Sequence, residues 1–573
     1  MTIRRKFALA ALLCAAAVPA FGADPNAGKQ TFRAQCALCH SAEPNDNGGA
    51  QGPSLQGIMG RTAGTAADFG YTQALKDSGL TWDAETLDRF LAAPTQVVPG
   101  TSMVIPVADA SDRENLIAYF SALQAGTFRE EAPRAFRPPP PPPEQPDAPK
   151  GAADWKNDKP GRVHRIDLAN LPKPFHTPSA MNWPRLVPKP ENAQLQLPPG
   201  FEVDVFLTDL SAPRTMKLAP NGDILLVETL AGRLKVLRPT ADGKTATVSV
   251  FAQGLMQPYG VEFYPAGPNP EWIYVAEMNR VVRYAYRPGQ TEASGVPEIV
   301  VPQLSPTGGG HYTRDIAFSL DGKRMFVSVG SQSNVAEDMP KKTPEEIRAW
   351  EAEHGLGAAW GPEENRAAVL VFEVGSDKPG RIFATGIRNC VTMTVQPATG
   401  ELWCTTNERD MLGDDLVPDY STRVKEGAFY GWPWYYMGDN EDPRLAGDRP
   451  DLKGKVTLPD VPYQAHSAAT GFVFYPEKPS GASAFPAEYA GEAFAVLHGS
   501  WNRAFRTGHK VVRVPMKDGV PTGEYIDFMT GFIDEDGNAW GRPVAAVVAA
   551  DGSLLVSDDG ANVIYRISYT GRK

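Results

Sequence analysis

Cysteine is scarce: five residues in 573, too few for a disulfide-built scaffold of this length. Positive charge is not in excess either. Lys and Arg number 56 against 67 Asp and Glu, a net charge of −11. That balance argues against general binding to nucleic acid or to an anionic membrane surface. After the first two dozen residues no apolar run is long enough to span a bilayer. Apolar residues themselves are not lacking. Hydrophobics make up 42% and charged residues 21%, which excludes global disorder. The length excludes a single core, because cores stop growing at roughly 250–300 residues. Glycine (54) and proline (53) are plentiful, so turns outnumber long helices.

The N-terminus places Arg4, Arg5 and Lys6 before an apolar run from Phe7 to Val18 and small residues around Ala20–Ala23. This is the layout of a secretory signal, expected to be removed after residue 22 or 23. The run is shorter than the ~20 residues of a membrane-spanning helix. Leu13 before Cys14 argues against lipoprotein processing. The mature protein is therefore expected in an oxidising compartment, periplasmic or secreted, with no stable membrane span.

Pro138 to Pro143 are consecutive prolines. They can neither pair in a sheet nor continue a helix, and form a stiff polyproline spacer of roughly 20 Å. The expected plan is a signal at 1–22, a small all-α domain at 23–128, a Pro-rich linker at 129–154 and a large all-β domain at 155–573. In the small domain, Thr81–Leu91 reads as an amphipathic helix with acids in its first turn. Ser111 to Leu123 reads as another, N-capped by Ser111, with Leu116, Ile117, Phe120 and Leu123 on one face. The large domain repeats a turn and a short apolar strand, as in Asn221-Gly-Asp-Ile-Leu-Leu-Val227, Asp321-Gly-Lys-Arg-Met-Phe-Val327 and Asp551-Gly-Ser-Leu-Leu-Val556. Six such groups over ~400 residues predict a six-bladed propeller, each blade one four-stranded sheet. One insertion, roughly 335–365, interrupts the pattern. Thr343-Pro344-Glu345-Glu346 is a capping box that starts a helix ending near His354-Gly355, a surface decoration or a lid.

Cys36-Ala-Leu-Cys39-His40 is a C-x-x-C-H motif. Two thiols at that spacing can both bond haem vinyl groups, and the histidine that follows becomes an axial iron ligand. A thioredoxin-like dithiol would need a βαβ context, which is absent. Met59 and Met103 are the candidates for the second axial position. Gly52-Pro53-Ser54-Leu55-Gln56-Gly57 and Pro99-Gly100-Thr101-Ser102-Met103 stand where class I cytochromes c have their proline and methionine loops. The small domain resembles that family, and the resemblance implies haem c with His40 and Met103 on the iron. Tyr71 and Trp82 are placed either on the haem edge or in the core.

In the large domain, polar and aromatic residues concentrate at turns, where binding sites are built. The segments are Gln257-Pro-Tyr-Gly260, His311-Tyr-Thr-Arg314, Gly386-Ile-Arg-Asn389, Asn407-Glu-Arg-Asp410, Phe429-Tyr-Gly-Trp-Pro433, Gly499-Ser-Trp-Asn-Arg503 and Trp540-Gly-Arg-Pro543. In combination they resemble the sorbosone dehydrogenase-like group of quinoprotein sugar dehydrogenases, which use pyrroloquinoline quinone (PQQ) and calcium. The resemblance implies His311 as general base, and Gln257, Arg314, Arg388, Asn389 and Arg542 around PQQ. It also implies calcium at Glu408, Arg409 and Asp410, held partly by backbone carbonyls. Three carboxylates on PQQ suit guanidinium forks. His466 and His498 compete with His311 for the base role. Asp414 and Asp415 suit a second calcium or simply face solvent. Tyr430, Trp432, Trp434 and Tyr435 form either a sugar-stacking wall or blade packing. Cys390 and Cys404 lie across a predicted hairpin, as a disulfide or as two buried thiols.

The expected function is oxidation of a sugar or sugar-derived aldehyde or alcohol by PQQ. Electrons would pass singly through haem c to an external acceptor such as a cytochrome, a cupredoxin or a quinone. The alternatives are a calcium-dependent propeller hydrolase, which would need no haem, and a non-enzymatic binding propeller tethered to an electron-transfer cytochrome, against which the resemblance at His311 and Arg388-Asn389 argues.

Overall fold

A computed structural model describes residues 23–32, 36, 40–42, 53–66, 71–101, 103, 106–107, 109–129, 155–306, 310–337 and 339–571. The signal segment, Cys39 and the proline run lie outside these residues. The chain divides into two compact units. Among the described residues no helix is long and apolar enough to cross a membrane.

The first unit is helical. Helix α1 (Pro25–Thr31) is capped by Asp24, and α5 (Ala110–Gln124) crosses it. Gly28 makes the crossing possible: a Cβ there would stand 1.9 Å from the Asn115 carbonyl oxygen and 2.8 Å from the Tyr119 Cβ. Phe32 closes the crossing against Tyr119 and Phe120, with ring centroids 5.8 and 5.9 Å away. Between them in the chain lie α3 (Ala84–Ala92) and α4 (Pro94–Val97), and also α2 (Gln73–Asp77), whose residues up to Lys76 are grouped with the second unit. Two details differ from the sequence reading. The N-cap of α5 is Asp109, whose carboxylate accepts from the Asp112 N–H, and Ser111 lies inside the first turn. Helix α3 starts three residues later than expected, capped by Asp83. The buried face of α5 is Leu116, Tyr119 and Phe120, so Tyr119 belongs to the core and Ile117 lies at its margin.

The second unit is the six-bladed propeller. Its innermost strands are Pro213–Leu218, Val261–Tyr264, Ile316–Phe318, Cys390–Val395, Ala469–Phe474 and Pro543–Val548, for blades 1 to 6. Each is followed outward by antiparallel neighbours in chain order. Consecutive inner strands touch all the way round, blade 6 against blade 1. The ring is closed by Phe201–Leu207, the first strand of the ring in the chain, which pairs with Val563–Tyr569, the last. Blade 5 gains a fifth strand, Val163–Arg165, paired with Glu524–Met529. Cys390 and Cys404 are joined as a disulfide across the blade 4 hairpin. The insertion forms helix α6 (Pro344–His354) with the expected capping box. Its Ile347 and Trp350 pack on Trp360, Phe429, Trp434 and Leu452, so it is a packed decoration of the blade.

Candidate functional site

Antiparallel order decides which loops meet. The segment entering each inner strand and the loop leaving each second strand lie at the same end of the blade. Gln257, His311, Arg314, Arg388, Asn389, His466 and Arg542 enter inner strands. Glu408–Asp415, His498 and Asp559 follow second strands. All therefore gather at one end of the ring.

Three histidines at this end differ in protonation, and hydrogen bonds say how. His311 Nδ1 lies 2.8 Å from the Ser331 carbonyl oxygen. A carbonyl only accepts, so Nδ1 carries the proton and Nε2 keeps its lone pair. Burial, then the charge of Arg388, lowers this imidazole to about 3. It is neutral at physiological pH, and partly exposed. His498 has both nitrogens occupied. Its Nε2–H donates to Asp559 Oδ1 at 2.8 Å, and its Nδ1 accepts from Arg542 Nη2 at 3.0 Å. His466 donates from Nε2 to the Gly413 carbonyl at 2.9 Å, with Nδ1 3.4 Å from Asp410 Oδ1. Burial pulls its imidazolium down, but the Asp410 hydrogen bond and charge outweigh this and raise it. Of the three, His311 alone offers a lone pair with no partner among the described residues; a fourth, His509, also has a partnerless Nε2 but is buried, whereas His311 is partly exposed.

Cations dominate the surroundings of His311. Arg388 donates to Asn334 Oδ1 at 2.9 Å, to the Glu408 carbonyl at 2.7 Å and to Asp410 Oδ2 at 3.4 Å. Asn389 accepts from Thr313 Oγ1 at 3.0 Å. Gly330 has to be glycine, since a Cβ would lie 2.4 Å from Asn389 Oδ1 and 2.7 Å from the His311 Cβ. Arg314 is fully buried. One of its nitrogens donates to the carbonyls of His311 and Thr313, while Nε and Nη2 have no partner among the described residues. A buried guanidinium with two idle donors is costly, and burial lowers its pKa well below the usual value.

Arg542 belongs to a neighbouring cluster. It holds His498, His498 holds Asp559, and Asp559 Oδ2 accepts from Arg214 Nη2 at 2.7 Å. Arg542 Nε is likewise buried without a partner. No hydrogen bond among the described residues links this cluster to His311. Gln257 sits in the loop before blade 2 with φ 45°. The idle donors of Arg314 and Arg542 fit a small polyanion, to which Arg388 adds charge, its N–H groups being taken by Asn334, Asn407, Glu408 and Asp410.

The calcium expectation meets a different geometry. The Glu408 carbonyl is taken by Arg388, and the Asp410 carbonyl by Arg409 Nε and Nη2 at 3.0 and 2.8 Å. The Gly413 carbonyl is taken by His466. Arg409 itself is pinned by Asp442 Oδ2 at 2.6 Å. As folded, these carbonyls do not fit a calcium ion, which would have to displace two guanidinium groups and an imidazole. Burial pushes the Glu408 carboxyl up to about 7. Asp415 pairs with Arg503 and Asp414 Oδ1 accepts from the Ala504 N–H, so both serve loop structure. Among the described residues, the one cluster with metal-ligand spacing is Asp158, His164 and Asp527. Lys510 Nζ already neutralises it, 3.0 and 2.8 Å from the two carboxylates.

The aromatic wall expected from Tyr430, Trp432, Trp434 and Tyr435 is blade packing. All four are buried. Trp432 Nε1 donates to the Asn334 carbonyl and Tyr430 OH to that of Arg423. Sequence reasoning missed Ser331, Asn334, Arg366 and Asp559. Arg366 donates to the Gly330 carbonyl at 3.0 Å and so braces the His311 neighbour strand. The one sequence signal for Asp559 was its place in an Asp-Asp-Gly turn.

In the helical unit, His40 Nδ1 lies 2.9 Å from the Pro53 carbonyl oxygen. By the same rule Nδ1 is the donor and Nε2 is the lone-pair nitrogen, as an iron ligand requires. Burial lowers the pKa of this imidazole. Cys36 is buried. These residues fit haem. The Met103 N–H donates to Thr101 Oγ1 at 3.3 Å, and the Met59 carbonyl accepts from Gln124. Trp82 is buried against Phe90.

Comparison with known proteins agrees with both units. Residues 195–425 and 450–570 match the family model described as TrAA12-like, and residues 25–124 match that of cytochrome c. The chain is 25% identical over 390 residues to a Borreliella burgdorferi protein described as uncharacterized, across 65% of this chain and 91% of that one. It is 45% identical over 103 residues to cytochrome c2 of Rhodoblastus acidophilus, across 18% of this chain and 94% of that one. Among solved structures, the holo PQQ domain of pyranose dehydrogenase from Coprinopsis cinerea is similar with TM-score 0.53 and 22% identity, covering 66% of this chain and 98% of that one. The calcium structure of the family AA12 protein from Trichoderma reesei gives TM-score 0.51 and 18% identity, covering 66% and 99%. At these identities the structural likeness establishes the fold.

Proposed function

Because the chain belongs to the TrAA12-like family through its propeller and carries a cytochrome c domain ahead of it, we propose that it is a quinohaemoprotein dehydrogenase. Its substrate is a sugar or a sugar-derived aldehyde or alcohol, its place the periplasm or the cell exterior, and its final acceptor an external redox partner. In this reading residues 23–128 form the cytochrome domain, 129–154 the linker and 155–573 the catalytic propeller. When bound, PQQ supplies a two-electron acceptor and haem c a one-electron relay. The observation that carries the reading is the neutral, partner-free Nε2 of His311, on a residue whose carbonyl is held by fully buried Arg314, itself with idle donors.

Each residue has a task set by its chemistry. Arg314, Arg388, Asn389 and Arg542 hold the cofactor's carboxylates and polar edge, with Gln257 at the rim. Arg388 is already fixed by Asn334 and Glu408, so its guanidinium is oriented before the ligand arrives, and little ordering cost remains. His311 Nε2 takes the proton from the substrate hydroxyl. The Nδ1–H bond to Ser331 holds the ring and steadies the imidazolium that forms. An anion on Arg388 and Arg314 offsets part of the cationic bias around His311, while burial still holds the imidazole below its ordinary value and keeps it neutral. His466, whose imidazolium Asp410 favours, and His498, hydrogen-bonded at both nitrogens, are positioning groups. In the cytochrome domain Cys36 and Cys39 bond the haem and His40 and Met103 take the iron.

The test is binding as well as turnover. The haem-loaded protein is titrated with PQQ and followed by quinone absorbance, in wild type and in Arg314→Met and Arg388→Met. The reading requires saturable binding weakened at least tenfold in either variant. Equal binding in all three would overturn the assigned seat. Substrate consumption without any change at the haem would replace the dehydrogenase by a hydrolase.

A further inference from the structure

The aromatic residues that reach solvent near the site lie elsewhere than the buried wall. The segment from Leu171 to Gly200, between blade 5's extra strand and the closing strand, runs over the loops that carry the candidate site. Its Phe175 N–H donates to the Leu412 carbonyl, and its Thr177 and Ser179 hydroxyls accept from the Asp414 and Gly413 N–H groups. Trp183 of this segment stacks on Trp501 of the blade 5 loop, with centroids 4.4 Å apart and planes at 7°. One face of Trp183 is thus covered, yet 46% of the residue remains exposed. Met181 and Phe505 beside the pair are 63% and 61% exposed.

The platform is held rigidly. Arg506, almost fully buried, donates to the carbonyls of Asn182 and Trp183 and to Asn182 Oδ1, at 2.8, 3.0 and 3.0 Å. The Asn182 N–H donates to the Trp501 carbonyl at 2.7 Å, which locks the two indole-bearing loops together. Asn502 next to Trp501 is fully buried. It donates to the Ala180 carbonyl and accepts from the Met411 N–H, one residue from Asp410. The stacked pair is therefore continuous with the wall that holds Arg388.

From this arrangement we propose that Trp183 and Trp501 form an outer saccharide subsite, which binds a second pyranose ring of a neutral oligosaccharide whose end reaches His311. An indole face is large, rigid and cheap to immobilise, and the C–H face of a pyranose is its flat apolar complement. The clamp from Arg506 removes the ordering cost that a mobile surface tryptophan would carry. Net charge of −11 disfavours an anionic polymer. The inference rests on the dehydrogenase reading only for where the reacting end goes; the subsite itself needs no cofactor.

Haem-loaded protein without PQQ is titrated by calorimetry with glucose, maltose, cellobiose and their trimers to hexamers. The subsite predicts that at least one series binds more tightly as a second ring is added. It also predicts that Trp183→Ala and Trp501→Ala each weaken that gain about tenfold, with unchanged melting temperature. The Trp183→Phe variant should restore part of it. No gain from a second ring in either series, or a gain untouched in both alanine variants, overturns the proposal. So does a Trp183→Ala protein that binds oligosaccharide normally but loses haem reoxidation by an added redox protein, since the pair then serves protein docking. If oligosaccharide binding depends on Trp183 while no sugar reduces the haem, the dehydrogenase reading fails and the subsite stands.

Discussion

Replacing His311 by glutamine isolates the base. The amide can still donate to the Ser331 carbonyl that now takes the Nδ1–H at 2.8 Å, but it offers no basic lone pair in place of Nε2. A positioned general base contributes 10²–10⁴-fold, or about 3–5.5 kcal/mol of barrier. The fall should appear in single-turnover haem reduction by stopped flow, with PQQ-loaded protein and excess aldose. PQQ affinity and melting temperature should hold, because Arg314 and Arg388 are untouched. His498→Gln is the matched control: an amide reproduces both the acceptor for Arg542 and the donor to Asp559, so the rate should stay within about tenfold of wild type. The pH profile adds a second arm. His311 is held below its ordinary value of 6.5 by burial and Arg388, so its neutral form persists as pH falls through 6.5. No acid limb belonging to it is expected between pH 6 and 8. Glu408, pushed up to about 7 by burial, titrates in that window, and Glu408→Gln should remove any step it causes. A His311→Gln loss under tenfold, or a limb at pH 6–7 that disappears with His311, would refute the assignment.

Other consequences concern stability. Gly28→Ala drives a methyl into the Asn115 carbonyl and should cost about 2 kcal/mol or more, read as a lower denaturation midpoint of the cytochrome unit; an unchanged midpoint would contradict the tight crossing. Lys510→Met removes the cation between Asp158 and Asp527, leaving them only Arg162 and His164, and should destabilise the propeller by about 3 kcal/mol. A neutral effect in urea denaturation would show that the cluster is not charged as drawn. The Cys390→Ser, Cys404→Ser double variant opens a 14-residue separation and should lose about 3 kcal/mol, with the same loss when the wild type is reduced; equal stability with and without reductant would count against the disulfide. His311 and His498 both have depressed folded-state values, about 3 and about 4. Their contribution to stability is full above 6.5 and is lost as pH falls toward those values, so His498→Gln should flatten acid unfolding in that range.

The fold was largely legible because a propeller repeats. Each blade states its own turn and apolar strand, as at Asn221–Val227 and Asp551–Val556, and six statements fix the number. Closure was not legible: Phe201–Leu207 pairs with Val563–Tyr569 across the whole domain, and no local pattern marks such a partner. At α5 the Ser111 cap was misplaced: Asp109 caps the helix because its carboxylate reaches the Asp112 N–H. The aromatic run Tyr430–Tyr435 read equally well as a wall or as packing, since burial depends on helix α6 and the chain around Leu452 covering it. The segment over the site carries neither period and stayed silent, although it supplies Trp183. Candidate polar residues were legible as types at turns, while their division into a His311 cluster and an Arg542 cluster needed coordinates. Histidine roles were set by partners such as Ser331, Gly413 and Asp559, two of them through backbone carbonyls that no sequence displays.

The most direct measurement mixes oxidised haem-loaded protein with an aldose under anaerobic conditions, with and without PQQ, and follows the haem α-band in time. The account predicts reduction of the haem by substrate only when PQQ is present, at a rate that collapses in His311→Gln. Substrate consumed while the haem stays oxidised, or haem reduced equally without PQQ, would contradict it.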